Sequence, residues 1–175
     1  MKKAIIFFAA IIMIAFFSNK VTAQVTVSND ANAEIITPIT LTADVDLEFG
    51  KLAVQTLQGG VVELTPAAAT VATSTLGVTL LTGTTRTAAK YTVGGIQNYV
   101  YTITVPVGSI PITSGLNTMD VYDFVFLSIA TPSATGGTLD VNGTDNFYVG
   151  AKLQVAQAQA PGVYTGTFNV TVNYN

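Results

Sequence analysis

Apolar and polar residues alternate most regularly at the C-terminal end of the chain. Tyr164, Gly166, Phe168, Val170, Val172 and Tyr174 fall on one side, and Thr165, Thr167, Asn169, Thr171, Asn173 and Asn175 on the other. Successive side chains of a strand point to opposite faces, so the pattern predicts one half-buried strand from Tyr164 onward. Burying Phe168, Val170, Val172 and Tyr174 is worth roughly 1.5–3 kcal/mol each, an upper figure because unfolded chains are already partly collapsed. An apolar face of that value has to be covered by something.

Other runs read the same way, more weakly. Gln24 to Ile35 places Val25, Val27, Asn29, Ala31, Ala33 and Ile35 on one side, which describes an extended arm with small apolar knobs. Ile35–Thr42 is a strand whose Pro38 lacks an N–H and so belongs at an edge or a bulge. Val45–Gly50, Val61–Thr65, Thr75–Thr82, Lys90–Val93 and Tyr99–Val105 follow as short strands, the last ended by Pro106. Val121–Ile129 is almost continuously apolar and is expected at the centre of a sheet. Phe147, Val149, Ala151, Leu153 and Val155 form a further alternating run. The Ala/Thr run from Ala67 to Ser74 fits a strand edge or a surface loop. Gly59-Gly60, Gly94-Gly95, Gly136-Gly137 and Asn142-Gly143 mark turns, and the last is the strongest hairpin signal. No helical apolar period runs through ten residues. Some 8–10 short strands punctuated this way predict an all-β antiparallel β-sandwich of one domain, residues 35–175, preceded by an arm at 24–34.

The first 23 residues read differently. Met1-Lys2-Lys3, the apolar stretch Ala4–Phe17, and small residues at Val21 and Ala23 describe a secretory signal peptide with Gln24 as the mature start. The apolar stretch is too short to span a bilayer comfortably. The chain is therefore expected in the periplasm, on the outer surface or outside the cell, with no membrane insertion of the mature chain. Without Lys2, Lys3 and Lys20, four basic residues face ten acidic ones, a net charge of −6. Such a surface suits neither nucleic acid nor an anionic membrane. Cysteine is absent, so no disulfide and no lipid-anchoring cysteine support the fold.

Candidate chemistry is sparse. With no His and no Cys, the usual general base, the thiol nucleophile and the commonest transition-metal ligands are missing. Asp120 and Asp123 would lie on opposite faces of a strand. Asp44, Asp46 and Glu48 would share one face, as a Ca²⁺ ligand set or, more simply, as the wet side of Val45, Leu47 and Phe49. Asp140–Asn146 gathers oxygen ligands around Gly143 and reads as a Ca²⁺ loop or, on its local sequence, as a plain turn. Tyr91, Tyr99, Tyr101 and Tyr122 could floor a carbohydrate site or pack as strand residues with wet hydroxyl tips. No catalytic residue, resident metal or cofactor is expected, and the reading is of a protein that is not an enzyme.

Five motifs occur in order: Ile36-x-Pro38-Ile39-x-Leu41, Leu47-Glu48-Phe49-Gly50, Tyr101-x-Ile103-x-x-Pro106, Val149-Gly150-Ala151-x-Leu153, and Gly162-Val-Tyr-Thr-Gly-Thr-Phe-x-Val-Thr-Val-Asn-Tyr174. Together they resemble a bacterial secreted family, domain of unknown function 4402, which is similar to spore-coat-U-like and pilin-like proteins of the outer surface. The resemblance implies an immunoglobulin-like sandwich and a structural or adhesive role in a fimbria-like fibre or coat. Pilin-like chains have a penultimate tyrosine and a glycine fourteenth from the end, which here would be Tyr174 and Gly162. They assemble by strand addition, and carried to this chain the donors would be Val25, Val27, Ala31 and Ala33. The acceptor wall would be Gly162, Tyr164, Phe168, Val170, Val172 and Tyr174, with Tyr164 placed for a tyrosine corner. The partners so implied are further copies of the chain or an assembly chaperone. The alternative is a self-complete monomer that binds surface glycans or matrix.

Overall fold

The computed structural model describes residues 23–129 and 135–175. The signal-peptide reading, Ala23 apart, lies outside the described residues. Among these the regular structure is all β, in twelve strands where 8–10 were expected. They are β1 (Thr40–Val45), β2 (Leu52–Val54), β3 (Gly60–Leu64), β4 (Ala72–Ser74), β5 (Val78–Leu80) and β6 (Ala89–Gly94). Then come β7 (Val100–Thr104), β8 (Ile110–Ser114), β9 (Asn117–Ser128), β10 (Gly136–Thr138), β11 (Thr144–Val155) and β12 (Thr171–Tyr174). Residues 23–35 contain no strand and are exposed. All twelve strands lie in one compact unit, Ile36–Asn175.

β11 is the axis of that unit. Along one edge it pairs antiparallel with β6 over Thr144–Val149 and then with β3 over Ala151–Val155. Along the other it pairs with β9. Where β6 gives way to β3 stands Gly150, and any Cβ there would run into the Leu64 carbonyl oxygen. A glycine in a strand marks such a close backbone approach. β1 lies outside β6, β4 outside β3 and β8 against β9, making a seven-stranded antiparallel sheet. A second sheet has the order β10-β7-β12, and β2 pairs with β5. The expected alternation of β11 holds, since Phe147, Val149, Ala151, Leu153 and Val155 are all buried. They share one core with Tyr101 and Ile103 of β7 and Val172 of β12. The result is a sandwich-like antiparallel fold.

Several local expectations are corrected. Val45–Gly50 is not a strand of its own; β1 ends at Val45, and Glu48 makes a single bridge to Thr87. Gly136-Gly137 is not a turn but most of β10, glycine because a Cβ at Gly136 would strike the Tyr101 carbonyl oxygen. The Asn142-Gly143 turn forms, with Gly143 at φ 74°, yet it joins strands of different sheets and closes no hairpin. The hairpin lies instead at β8–β9, turning at Gly115-Leu116 with Gly115 at φ 60°.

β9 shows why its sequence looked continuously apolar. Gly150 pairs with Val125 and Lys152 with Tyr122, so β9 carries one extra residue across that interval, and Asp123 sits at φ 52°. This is a β-bulge, and it flips the phase of the strand. Val121 is buried before it, and Phe124 and Ser128 after it. Val125, Leu127 and Ile129 are left on the solvent side, 44%, 40% and 54% exposed. Apolar residues therefore occupy both faces beyond the bulge.

Candidate functional site

The C-terminal stretch does not form one strand from Tyr164. It bridges β8 at Thr165, where the N–H groups of Thr113 and Thr165 donate to each other's carbonyls at 2.8 and 3.0 Å. Residues 166–170 form no strand, and pairing resumes with β7 at β12. Prolines account for the gap. Extended by two, the Thr113–Thr165 pair would set Thr167 opposite Pro111. Extended likewise from Thr171–Thr104, the β12 register would set Asn169 opposite Pro106. Neither proline has an N–H to give. The segment leaves one sheet at the first and enters the other at the second.

Its alternation of burial survives the loss of pairing. Tyr164, Phe168, Val170 and Tyr174 are half-buried, Val172 is buried, and the intervening residues are exposed. Phe168 packs on Phe124, ring centroids 4.9 Å apart. Gly166 lies so close to β8 that a Cβ would approach Ile112 Cγ2 at 2.8 Å, and a Cβ on Gly162 would meet the Ser114 hydroxyl. Tyr164 Oη donates to the Ala160 carbonyl at 2.7 Å, four residues upstream, the reach of a tyrosine corner. Tyr174 Oη donates to the Thr37 carbonyl at 3.1 Å and accepts from Ile96 N–H at 2.8 Å. Val172 and Tyr174 are thus already paired with β7, whereas Gly162, Tyr164, Phe168 and Val170 of the expected acceptor wall are not paired into a sheet.

The site gains an edge that no motif announced. β8 covers β9 only as far as Val121. Beyond that, among the described residues, β9 from Tyr122 to Phe126 pairs on one side only, with β11. Ile129 N–H donates to the Asn146 carbonyl at 2.9 Å. Counting down the strand by twos from there, the N–H groups of Leu127 and Val125 point at β11, and those of Phe126 and Phe124 at the open side. Beside this edge is a notch of about 260 Å³ lined by Val105, Phe124, Val125 and Phe126. Apolar walls and small size suit side chains of an added strand better than a polar small molecule.

A family model for a domain of unknown function, DUF4402, matches residues 39–174. The chain belongs to the DUF4402 family. No curated protein and no solved structure matches it. The DUF4402 region takes in all twelve strands and begins beyond the arm at 24–34. In that arm the expected donors Val25 and Val27 are 84% and 75% exposed, and Ala31 and Ala33 are exposed as well.

The other candidates do not converge. Asp44 accepts from Thr92 Oγ1 at 2.6 Å and faces Lys90 at 3.6 Å, and among the described residues no three acidic side chains gather to hold a metal. Asp140 closes its own turn, accepting from the N–H groups of Asn142 and Thr144 at 2.8 Å each. Those bonds, Thr144 first, hold its carboxyl below the ordinary value. Asp145 points the other way, into the core. Tyr101 Oη and Ser128 Oγ donate to its Oδ2 at 2.9 and 2.8 Å, and Asn146 N–H to its Oδ1 at 2.7 Å. Burial first, then the Asp145 hydrogen bond, push the Tyr101 phenol well above its usual range. This buried triad ties β7, β9 and β11 together, and no sequence motif marks it. The four tyrosines form no common floor, because Tyr101 is fully buried and Tyr91 stacks on Phe147 at 5.1 Å.

Proposed function

We propose that this DUF4402 chain is an exported, non-enzymatic structural or adhesive module with an immunoglobulin-like, pilin-like sandwich, joined into a surface fibre or coat by β-strand addition. The observation that carries the reading is the stretch of β9 from Tyr122 to Phe126, which among the described residues pairs on one side only, beside an apolar notch and the strandless segment 166–170. An exposed sheet edge is a ready template for an added strand, and natural proteins usually blunt it with charge, proline or cover. Here the edge is bulged and charged at Asp123, and it carries Val125 and Leu127 on one face and Phe124 and Phe126 on the other. The added strand is residues 24–34 of a further copy, whose Val25, Val27, Ala31 and Ala33 alternate as strand addition requires. The absence of His and Cys supports a role without catalysis.

Deleting residues 24–33 tests this. The shortened chain should stay monomeric and recover stability when a peptide of residues 24–36 is supplied. The chain beginning at Gln24 should form detergent-resistant ladders on a gel. A clean monomer in native mass spectrometry at high concentration, indifferent to the peptide, would instead describe the self-complete alternative.

A further inference from the structure

The pole of the sandwich at the C-terminal end of β11 is poor in charge, with exposed Asp120 opposite Gln154 at its border. Four segments meet there: 55–59 before β3, 74–77 from the last residue of β4 to β5, 114–118 at the β8–β9 hairpin, and 156–163 after β11. Backbone and side-chain bonds link them into one surface. Gln55 N–H donates to Gly77 O at 2.9 Å, Gly77 N–H to Gly59 O at 3.3 Å, and Ala158 N–H to Gln55 O at 3.1 Å. Gln159 Nε2 reaches Thr118 O at 3.0 Å. None of the four segments contains Asp, Glu, Lys, Arg or an aromatic residue, in a chain with 17 charged ones. Each carries a large aliphatic side chain held out in solvent: Leu57 at 88%, Leu76 at 77%, Leu116 at 101% and Val163 at 82% exposed. Leu76 and Ala158 also hold φ values of 49° and 52°, a left-handed backbone that is costly for such residues. A strained leucine at an exposed tip is a feature to be explained by what it contacts.

We infer that this pole docks on an electrically neutral lipid surface, its leucine tips entering the headgroup–acyl boundary. Each alternative fits less well. A sugar-binding platform would offer exposed aromatic rings, whereas Tyr164 beside these segments is half-buried with its hydroxyl bonded to Ala160 and Gln159. An anionic surface would call for basic residues, which the segments lack. Four side chains on separate tips offer a few hundred Å², short of the roughly 800 Å² per partner that a stable protein–protein contact buries. A lipid interface needs no matching contour. Each tip gains independently by leaving water, and the lack of charge on the tips spares the cost of carrying an ion toward hydrocarbon. The contact is interfacial and calls for no membrane-spanning segment.

The chain has no tryptophan, so one introduced at a tip reports alone. The protein beginning at Gln24 carries Leu57→Trp or, as a control at the Asn142-Gly143 turn, Val141→Trp. Each is mixed with phosphatidylcholine vesicles. Emission from the Leu57→Trp variant should shift to the blue and that from Val141→Trp should not, with the response unchanged in high salt. In vesicle flotation, Leu57→Asp, Leu76→Asp and Leu116→Asp should each weaken binding about tenfold, with circular dichroism unchanged. Absence of a blue shift, binding that needs anionic lipid and fails in salt, or flotation unaffected by all three substitutions would overturn the inference. So would self-association that Leu57→Asp abolishes, because that would make a second copy the occupant.

Discussion

β11 and the C-terminal stretch carry the same kind of pattern and behave differently. Every second residue is apolar over nine residues in β11, Phe147–Val155, and over most of the twelve in the terminal stretch, Tyr164–Asn175. β11 is paired along both edges, while the terminal stretch is paired at Thr165 and again from Thr171 to Tyr174. In both, the alternation marks which side chains turn inward. Face burial follows from the side chains of the segment itself. Backbone pairing depends on the neighbour, and the neighbours of the terminal stretch present Pro111 and Pro106 where donors are needed. A strand-like pattern is therefore a statement about one face, and an open edge results where the partner cannot answer.

The contrast is sharpest in the cores of the two regions. Phe147→Ala should cost about 3–5 kcal/mol, since the ring is fully buried and touches Tyr91 and Phe126. Phe168→Ala, in the half-paired region, should cost about 1–2 kcal/mol by the same area argument. Urea unfolding of both variants checks the difference, and equal losses would break the comparison.

Tyr101→Phe should cost about 1–3 kcal/mol, because it removes one donor from the buried Asp145 carboxylate. Tyr174→Phe should cost about 0.5–1.5 kcal/mol, as it loses the bonds to Thr37 and Ile96 near the surface. Urea midpoints of the two variants give the order.

Pro111→Ala changes stability least among the core-adjacent sites but tests the pairing argument most cleanly. The new N–H faces Thr167 and should be protected in amide exchange, extending the Thr165 bridge by a pair. Free exchange of the amide introduced at position 111 would mean that something other than the missing donor parts the strands.

The smallest effect belongs to Asp140. Its folded-state carboxyl lies below the ordinary value, so its contribution is present above the unfolded value and is lost as pH falls through the folded one. The chain and its Asp140→Ala variant should differ at neutral pH and converge in acid, read from urea midpoints.

Much of this was legible in the residues. The all-β class, the buried face of β11, the inward side of the terminal stretch and the Asn142-Gly143 turn follow from period and turn chemistry. The pairing was not. β2, β4, β8 and β10 are too short or too rich in Gly, Pro and Ala to declare themselves, and β8 begins Ile110-Pro111. The bulge at Asp123 blurred the alternation of β9 and hid its two faces. The Asp145 triad joins residues far apart in sequence, so no local signal marks it. Among the described residues the open edge of β9 follows from where β8 stops, opposite Val121, which no single segment encodes.

Amide hydrogen exchange at Phe124 and Phe126 tests the central claim most directly. In the chain lacking residues 24–33 these two N–H groups should exchange rapidly while those of Val125 and Leu127 stay protected against β11. Adding the 24–36 peptide, or allowing the longer chain to assemble, should protect all four. Slow exchange at Phe124 and Phe126 in the shortened monomer, or fast exchange there in assembled material, would contradict an accepting edge on β9.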